Sequence, residues 1–303
     1  MNSTEPLTWR WHSWDVSWSQ LCKNSESCPF AIVLIHGFGA CKEHWRHNQA
    51  VLSEIAPCYA IDLLGFGNSS QPKAQLINET PEPGSVAYNF ETWGLQVSDF
   101  SRYVAQKPVV LIGNSIGGVV ALRAAQLLKD ACKSVVLINC AQRQMDDKRL
   151  SNQSQWMRWN RPLLKQLVQQ RWLSKTLFIN AARPKVIRGL LKQAYPSGSN
   201  VDEELVKLLH TPTQRSGASE AFRGFINLFN DHLAPDLIRS LQVPVDLIWG
   251  ENDPWENIEE ARVWTTTLSS IRSLTVIPNS GHCPHDESPE EVNAALFRIL
   301  QTN

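Results

Sequence analysis

Short apolar runs rich in β-branched residues alternate with amphipathic stretches through the first half of the chain, and this alternation constrains the fold most strongly. The apolar runs fit buried strands and lie at 31–35, 59–63, 109–112 and 135–138. The main amphipathic stretches between them are 90–104 and 116–128. Continuously apolar strands separated by helices are typical of a parallel sheet that is covered on both faces.

The remaining strand patterns complete this sheet. Residues 9–11 and 14–18 contain four tryptophans and predict an opening hairpin, and runs at 245–249 and 274–277 predict two further strands. Residues 141–238 show helical patterns without a convincing strand. We therefore predict an α/β fold with a mostly parallel, eight-stranded sheet flanked by helices. Its core would comprise 1–140 and 239–303, with 141–238 inserted as a helical cap.

Composition limits the classes of partner and site. The 303 residues include 29 basic and 29 acidic side chains, so the whole-protein charge gives no attraction for nucleic acid. Seven scattered cysteines without a Cys-x-x-Cys pair are typical of reduced thiols and predict neither disulfides nor a metal site. The sequence shows no targeting leader and no apolar run of about eighteen residues. We expect a cytoplasmic protein that needs no cofactor.

The segment GNSIGG at 113–118 carries the strongest chemical signal. It stands directly between the predicted strand at 109–112 and the predicted helix at 116–128. A serine on such a tight turn needs small neighbours, which Gly113, Gly117 and Gly118 supply. The turn would present the Ser115 hydroxyl at the carboxyl end of the sheet, and the helix N-terminus would aim the N–H of Ile116 at the same point. Ser115 is thus the predicted nucleophile.

A second loop can complete an oxyanion hole. HGFG at 36–39 follows the strand at 31–35, and its bend can turn the backbone N–H of Phe38 toward Ser115. Phe38 and Ile116 are therefore the predicted oxyanion donors, and Gly37 and Phe38 are predicted to touch the substrate. His36 is interpreted as a structural residue.

A base and an acid follow the last two predicted strands. Asp253 lies in GENDPW after the strand at 245–249, and His282 lies in SGHC after the strand at 274–277. A serine nucleophile needs a base, and the base needs a carboxylate to orient its ring, so all three must share one edge of the sheet. The order Ser115, Asp253, His282 fits a nucleophile elbow. Glu251 is the rival acid and His285 the rival base, while Asp62 is interpreted as a local hydrogen-bonding residue.

Five ordered segments carry a resemblance to a known superfamily. HGFG, AIDLLGFGNS, GNSIGG, GENDP and SGHCPHDESPEEV together resemble the α/β-hydrolase fold superfamily across residues 9–301. The resemblance implies a serine hydrolase that forms an acyl-enzyme through Ser115, Asp253 and His282.

Four further segments are similar to one branch of that superfamily. HWRHN, DLLGFGNS, NFETWGLQVSDF and VVLINCAQR resemble the cyanobacterial and plastid branch that includes pheophytinase and chlorophyll dephytylase. This implies hydrolysis of a long apolar ester, such as the phytyl ester of chlorophyll or pheophytin, by a protein peripheral to the thylakoid membrane.

Three alternatives stay open. Serine at position 115 disfavours haloalkane dehalogenases and epoxide hydrolases of this fold, which use a carboxylate there. Carbon–carbon bond hydrolases use a similar serine turn, and small-ester esterases share the same machinery. A scaffold that binds apolar molecules without catalysis is the third alternative.

The predicted cap has an unusual distribution of charge. Residues 148–200 contain eleven basic side chains and no acidic one, interleaved with tryptophan, leucine and phenylalanine. We expect this segment to cover an apolar substrate, with Trp156 and Trp159 in contact with it, and to bring the protein to an anionic membrane surface. The competing interpretation is a cap helix packed on the core with a solvated basic back.

Overall fold

The computed structural model describes residues 7–23 and 28–302, so the ends of the predicted core at 1–6 and 303 lie outside the described residues. One sheet contains eight strands in the order β1-β2-β4-β3-β5-β6-β7-β8. The strands are β1 (Leu7–Trp11), β2 (Trp14–Leu21), β3 (Ala31–Ile35), β4 (Cys58–Ile61), β5 (Val109–Asn114), β6 (Cys132–Ile138), β7 (Val245–Gly250) and β8 (Ile271–Ile277). The hairpin β1–β2 is antiparallel, as is its junction with β4, and the other neighbours are parallel. The predicted fold class is confirmed.

Helices cover the sheet and fill the segment between β6 and β7. In chain order they are α1 (Gln49–Leu52), α2 (Phe90–Phe100), α3 (Ile116–Leu128), α4 (Gln155–Gln169), α5 (Arg171–Ala181), α6 (Pro184–Ala194), α7 (Glu203–His210), α8 (Ala218–Ile226), α9 (Ala234–Arg239), α10 (Ile258–Thr267), α11 (Pro284–Glu287) and α12 (Pro289–Leu300). A turn of π-helix, Ser101–Ala105, extends α2, so the prediction of a helix over 90–104 is confirmed. Within the described ranges, no helix is both long and apolar enough to cross a bilayer.

Alternate side chains of each strand enter different cores. Val33 and Leu111 belong to the larger core cluster with residues of α2 and α3, whereas Ile32 and Ile112 belong to a second cluster with residues of α12. This division follows from the two-residue period of a strand. Because both of its faces are buried, the central strand β3 is apolar throughout.

The strand order reverses direction beside β3. The chain passes from β3 to β4 on one side and then returns to β5 on the other side. Loops that leave the carboxyl ends of β3 and β5 therefore diverge there, and open α/β sheets bind ligands at such switch points. The HGFG loop follows β3, and Ser115 follows β5.

Residues 141–238, all of which are described, contain the five helices α4 to α8, most of α9 and no strand. A separate apolar cluster joins α6 to α7 through Ile187, Leu191 and Leu205. By contrast, Leu237 and Ile238 of α9 belong to the larger core cluster beneath the sheet. The division into core and cap stays a prediction.

Candidate active site

Ser115 occupies a strained turn between β5 and α3. Its φ of 56° and ψ of −123° lie outside the regions that non-glycine residues favour, which costs on the order of 1–3 kcal/mol. Surrounding hydrogen bonds hold the turn: the Ser115 amide donates to Ile138 O at 3.0 Å, and Ser115 O accepts from the Ala141 amide at 3.1 Å. The backbone strain is thus balanced by bonds to the end of β6.

The glycines of this turn are required by close backbone packing. A Cβ on Gly117 would lie 2.4 Å from Ile35 O and 2.6 Å from His36 O, and a Cβ on Gly113 would lie 2.2 Å from Gly117 O. Any side chain at these positions would push α3 away from the sheet. The predicted reason for small residues around Ser115 is therefore confirmed.

The two predicted oxyanion donors line the same cavity as Ser115. Neither the N–H of Phe38 nor that of Ile116 has a hydrogen-bond acceptor among residues 7–23 and 28–302, so both remain available to a ligand. The Phe38 ring stacks on Phe225, with a centroid separation of 3.9 Å. Helix α8, which carries Phe225, thus packs directly against the HGFG loop.

His36 has a structural role, as predicted. Its ring is fully buried, and its Nε2 accepts a 3.1 Å hydrogen bond from the Leu63 amide. Nδ1 is therefore the protonated nitrogen and donates to Gly37 O at 2.7 Å. Burial lowers the pKa of His36, because a charged ring is poorly solvated there.

Asp253 and His282 form a hydrogen-bonded pair. The distance between Asp253 Oδ2 and His282 Nδ1 is 2.9 Å, and both side chains are buried. Burial opposes ionisation of Asp253, but hydrogen bonds, above all that from His282, outweigh it and hold the pKa below its usual range. With Nδ1 donating to this carboxylate, Nε2 is left as the proton acceptor.

Asn139 is a further site residue that the sequence analysis missed. It follows β6 with a φ of 43°, and its Nδ2 donates to Asp253 Oδ2 at 2.6 Å. Its Oδ1 accepts from the Gly250 amide at 3.0 Å, which ties the end of β6 to the end of β7. Its position directly after β6 could have indicated this role, because Asn tolerates positive φ and its side chain carries both hydrogen-bond donors and an acceptor.

The rival residues lie elsewhere. Glu251 is exposed, while the ring of His285 is fully buried against the rings of His44 and Trp45. Burial lowers the pKa of His285 well below its usual value. Asp62 accepts hydrogen bonds from the Lys42 amide and Nζ and from the Asn68 amide, which confirms its interpretation as a local hydrogen-bonding residue.

A cavity of about 630 Å³ joins these elements. Ser115, His282, Gly37, Phe38 and Ile116 all line it. Much of the remaining wall is apolar and comes from the predicted cap, including Phe178, Ile187, Leu190, Leu191, Phe222 and Phe229. The volume and composition are typical of a site for a mostly apolar small molecule.

The structure does not bring Trp156 and Trp159 into this cavity. They lie on the outer side of α4 and are 70% and 84% exposed. The aromatic side chains of the predicted cap that do reach the cavity come from α5, from α8 and from the segment after α8.

Glu256 is an acidic residue of the cavity wall that lies next to the Asp253–His282 pair. The backbone N–H of Glu256 donates to Asp253 Oδ1 at 3.2 Å, and its Oε2 accepts from the Gln142 amide at 2.8 Å. Burial raises the pKa of Glu256 to about 7, although the bond from Gln142 opposes the shift. This carboxyl is therefore partly protonated at neutral pH.

Curated relatives are distant but cover most of the chain. Pheophytinase of the chloroplast of Arabidopsis thaliana is 25% identical over 289 residues, a match that covers 87% of this chain and 59% of the relative. The chain thus spans less than two thirds of that protein. Epoxide hydrolase 3 of Xenopus tropicalis is 26% identical over 278 residues, covering 89% of this chain and 71% of the relative.

Solved structures share the fold. A serine hydrolase involved in carbazole degradation, the CarC enzyme, superposes with a TM-score of 0.72 at 19% identity, covering 96% of both chains. The sequence profile described as the alpha/beta hydrolase family matches residues 32–295, which is most of the chain. The predicted superfamily is therefore confirmed, and the protein belongs to the alpha/beta hydrolase family.

Proposed function

We propose that the protein hydrolyses carboxylic esters through an acyl-enzyme on Ser115. The observation that carries this proposal is the hydrogen bond between Asp253 and His282, because His282 lines one cavity with a serine on a strained elbow. Asp253 does not itself line the cavity; it orients the base and leaves Nε2 free to take the serine proton.

The proposed reaction has two halves. As Ser115 Oγ attacks the ester carbonyl, His282 Nε2 takes its proton, and the N–H groups of Phe38 and Ile116 stabilise the oxyanion. His282 then returns the proton to the leaving alcohol. In the second half, His282 takes a proton from the water that attacks the acyl-enzyme and passes it to Ser115 Oγ. This releases the carboxylic acid and restores the serine.

We further propose a long apolar ester as the substrate, with the phytyl ester of chlorophyll or pheophytin as the leading example. The apolar wall of the cavity supports a long hydrocarbon group, and the resemblance to pheophytinase supports the phytyl ester. Charged side chains are few in this wall, and Arg143 and Asp146 pair with each other at 2.8 Å. A neutral substrate fits this environment best.

Covalent labelling combined with turnover tests the proposal. A fluorophosphonate should label Ser115 in the wild type and leave Ser115→Ala unlabelled, and the substitution should lower ester turnover by on the order of 10⁶. A series of p-nitrophenyl esters of increasing chain length, together with pheophytin, identifies the substrate by product chromatography. An active Ser115→Ala protein would overturn the mechanism, and a preference for acetate would overturn the long apolar substrate.

A further inference from the structure

We infer that the outer surface of α4, α5 and α6 docks on an anionic lipid bilayer and admits apolar substrate from it to the cavity. We call this surface the outer cap face. The second part of the inference rests on the proposed function, whereas docking itself does not.

Helix α4 turns its apolar side away from the protein. Trp156, Trp159, Leu163 and Leu167 are 70%, 84%, 56% and 46% exposed. At 3.6 residues per turn, these four positions fall within an arc of about 80°. They therefore form one continuous apolar stripe along the helix.

Two of the three basic residues of α4, Arg161 and Lys165, contact other parts of the protein, while Arg158 is exposed. Arg161 Nε donates to Asp147 Oδ1 at 3.2 Å, Lys165 pairs with the same carboxylate, and the two cations lie 4.6 and 5.2 Å from the Phe229 ring centroid. A helix on the surface of a soluble protein ordinarily has the reverse orientation, with its apolar side on the core. The orientation of α4 thus differs from that of a helix whose apolar side packs on the core.

The next two helices extend the apolar surface. Trp172 and Ile179 on α5 are 67% and 54% exposed and lie on the same side of that helix as Lys175. On α6, Val186 and Leu190 are 40% and 45% exposed. Exposed apolar area of this extent marks an interaction site.

The positive charge of the outer cap face favours an anionic lipid surface as its partner. Of the eleven basic residues at 148–200, six are exposed and form no ion pair within the described ranges: Lys148, Arg158, Lys175, Arg183, Lys185 and Lys192. Helices α4 to α6 contain no acidic residue. Exposed tryptophans beside unpaired lysines and arginines are the anchors of interfacial helices on anionic lipid. A second copy would instead oppose cations with cations.

The outer cap face is continuous with the cavity wall. Leu190 is 45% exposed and also lines the cavity, and Phe178, Ala181 and Ile187 line it from the same two helices. A bilayer against α5 and α6 would therefore lie beside the apolar wall that faces Ser115. An ester dissolved in the bilayer would reach the site without crossing water.

Co-sedimentation with vesicles tests docking. The wild type should bind vesicles of phosphatidylcholine with phosphatidylglycerol, and the variant Trp156→Ser/Trp159→Ser/Leu163→Ser should bind at least about tenfold more weakly. The matched control, Ile77→Ser/Tyr103→Ser/Val263→Ser, removes three exposed apolar side chains outside the cap and should bind like the wild type. Added salt should weaken wild-type binding, because it screens the lysines and arginines.

Turnover separates substrate admission from docking. The cap variant should hydrolyse p-nitrophenyl acetate in solution at the wild-type rate but lose most turnover of a long-chain ester embedded in vesicles. A wild type that stays in the supernatant, binds neutral and anionic vesicles equally, or forms a dimer that the cap variant dissociates would overturn docking. Vesicle binding without any ester turnover would instead count against the proposed function alone.

Discussion

The side-chain amide of Asn139 donates a 2.6 Å hydrogen bond to Asp253 Oδ2, the same carboxylate oxygen that lies 2.9 Å from His282 Nδ1. Asn139 does not line the cavity with Ser115, so it acts through Asp253. It fixes the carboxylate from the end of β6, while the amides of Trp255 and Glu256 bind Oδ1 from the loop that follows β7. The candidate acid is thereby held from two strand ends.

Removing the Asn139 side chain should impair catalysis as well as folding. Asn139→Gly tolerates the φ of 43°, so without backbone strain it deletes the hydrogen bond to Asp253 together with the bond from the Gly250 amide. A lost bond to a carboxylate is worth about 1.5–3 kcal/mol, and we expect kcat to fall at least about tenfold at nearly constant KM. Asn139→Ala should show the same loss of kcat with an additional loss of thermal stability. Full activity of Asn139→Gly would show that Asp253 needs no such support.

Two glycine-to-alanine substitutions should shift stability in opposite directions. Gly117→Ala places a Cβ 2.4 Å from Ile35 O, and we expect a loss of about 3 kcal/mol in the free energy of unfolding. Gly189→Ala, within α6, meets no atom within 4 Å and should stabilise the protein by about 0.5–1 kcal/mol. Urea denaturation measures both. Equal stabilities would show that α3 shifts freely against β3.

Glu256 should make stability depend on pH. Its pKa is raised to about 7 from an ordinary value of 4.5, so the folded state holds the proton more tightly than the unfolded state. Its favourable contribution is complete below about pH 4.5 and is lost as the pH rises through about 7. The Glu256→Gln side chain cannot ionise. Between about pH 5 and pH 8, the free energy of unfolding should therefore fall by on the order of 2 kcal/mol less in this variant than in the wild type. Parallel pH profiles for variant and wild type would contradict this assignment.

Phe222 should contribute to the preference for long esters. Its ring lines the cavity, 5.6 Å from Phe178 and 6.3 Å from Phe38, so Phe222→Ala removes apolar wall. Burial of a phenylalanine side chain is worth about 1.5–3 kcal/mol, and we expect kcat/KM for a long-chain ester to fall about tenfold while that for acetate changes little. Phe297→Ala on α12, outside the cavity, is the control. A uniform loss for all chain lengths would indicate a structural effect.

The sheet and the nucleophile turn are predictable because their signals are local. Where both faces of a sheet are covered, its buried strands appear in the sequence as apolar runs. The turn at Ser115 requires glycines within three residues of the serine. The proximity of Asp253 and His282 is predictable because the carboxyl ends of parallel strands lie at the same edge of the sheet. Each inference uses a short segment and one topological rule.

The orientation of the helices in the predicted cap is less predictable, because it depends on contacts with residues that are distant in the sequence. The sequence of α4 shows an apolar side and a basic side, but the inward direction of Arg161 depends on Asp147 and Phe229. Trp156 and Trp159 were expected at the substrate, yet they face outward for this reason. Similarly, Arg171 pairs with Glu79 and Glu220, so the absence of acids at 148–200 overstates the free charge of that segment.

The tryptophans differ widely in solvent exposure, and this difference provides an intrinsic fluorescent probe. Trp45, Trp93 and Trp249 are almost completely buried, whereas Trp156, Trp159 and Trp172 are 70%, 84% and 67% exposed and all lie on α4 or α5. Water-exposed indoles emit at longer wavelength and are open to collisional quenchers, which the buried indoles resist. Collisional quenching of the tryptophan fluorescence therefore reports mainly on these two helices and on Trp255, which is 44% exposed, without any attached dye.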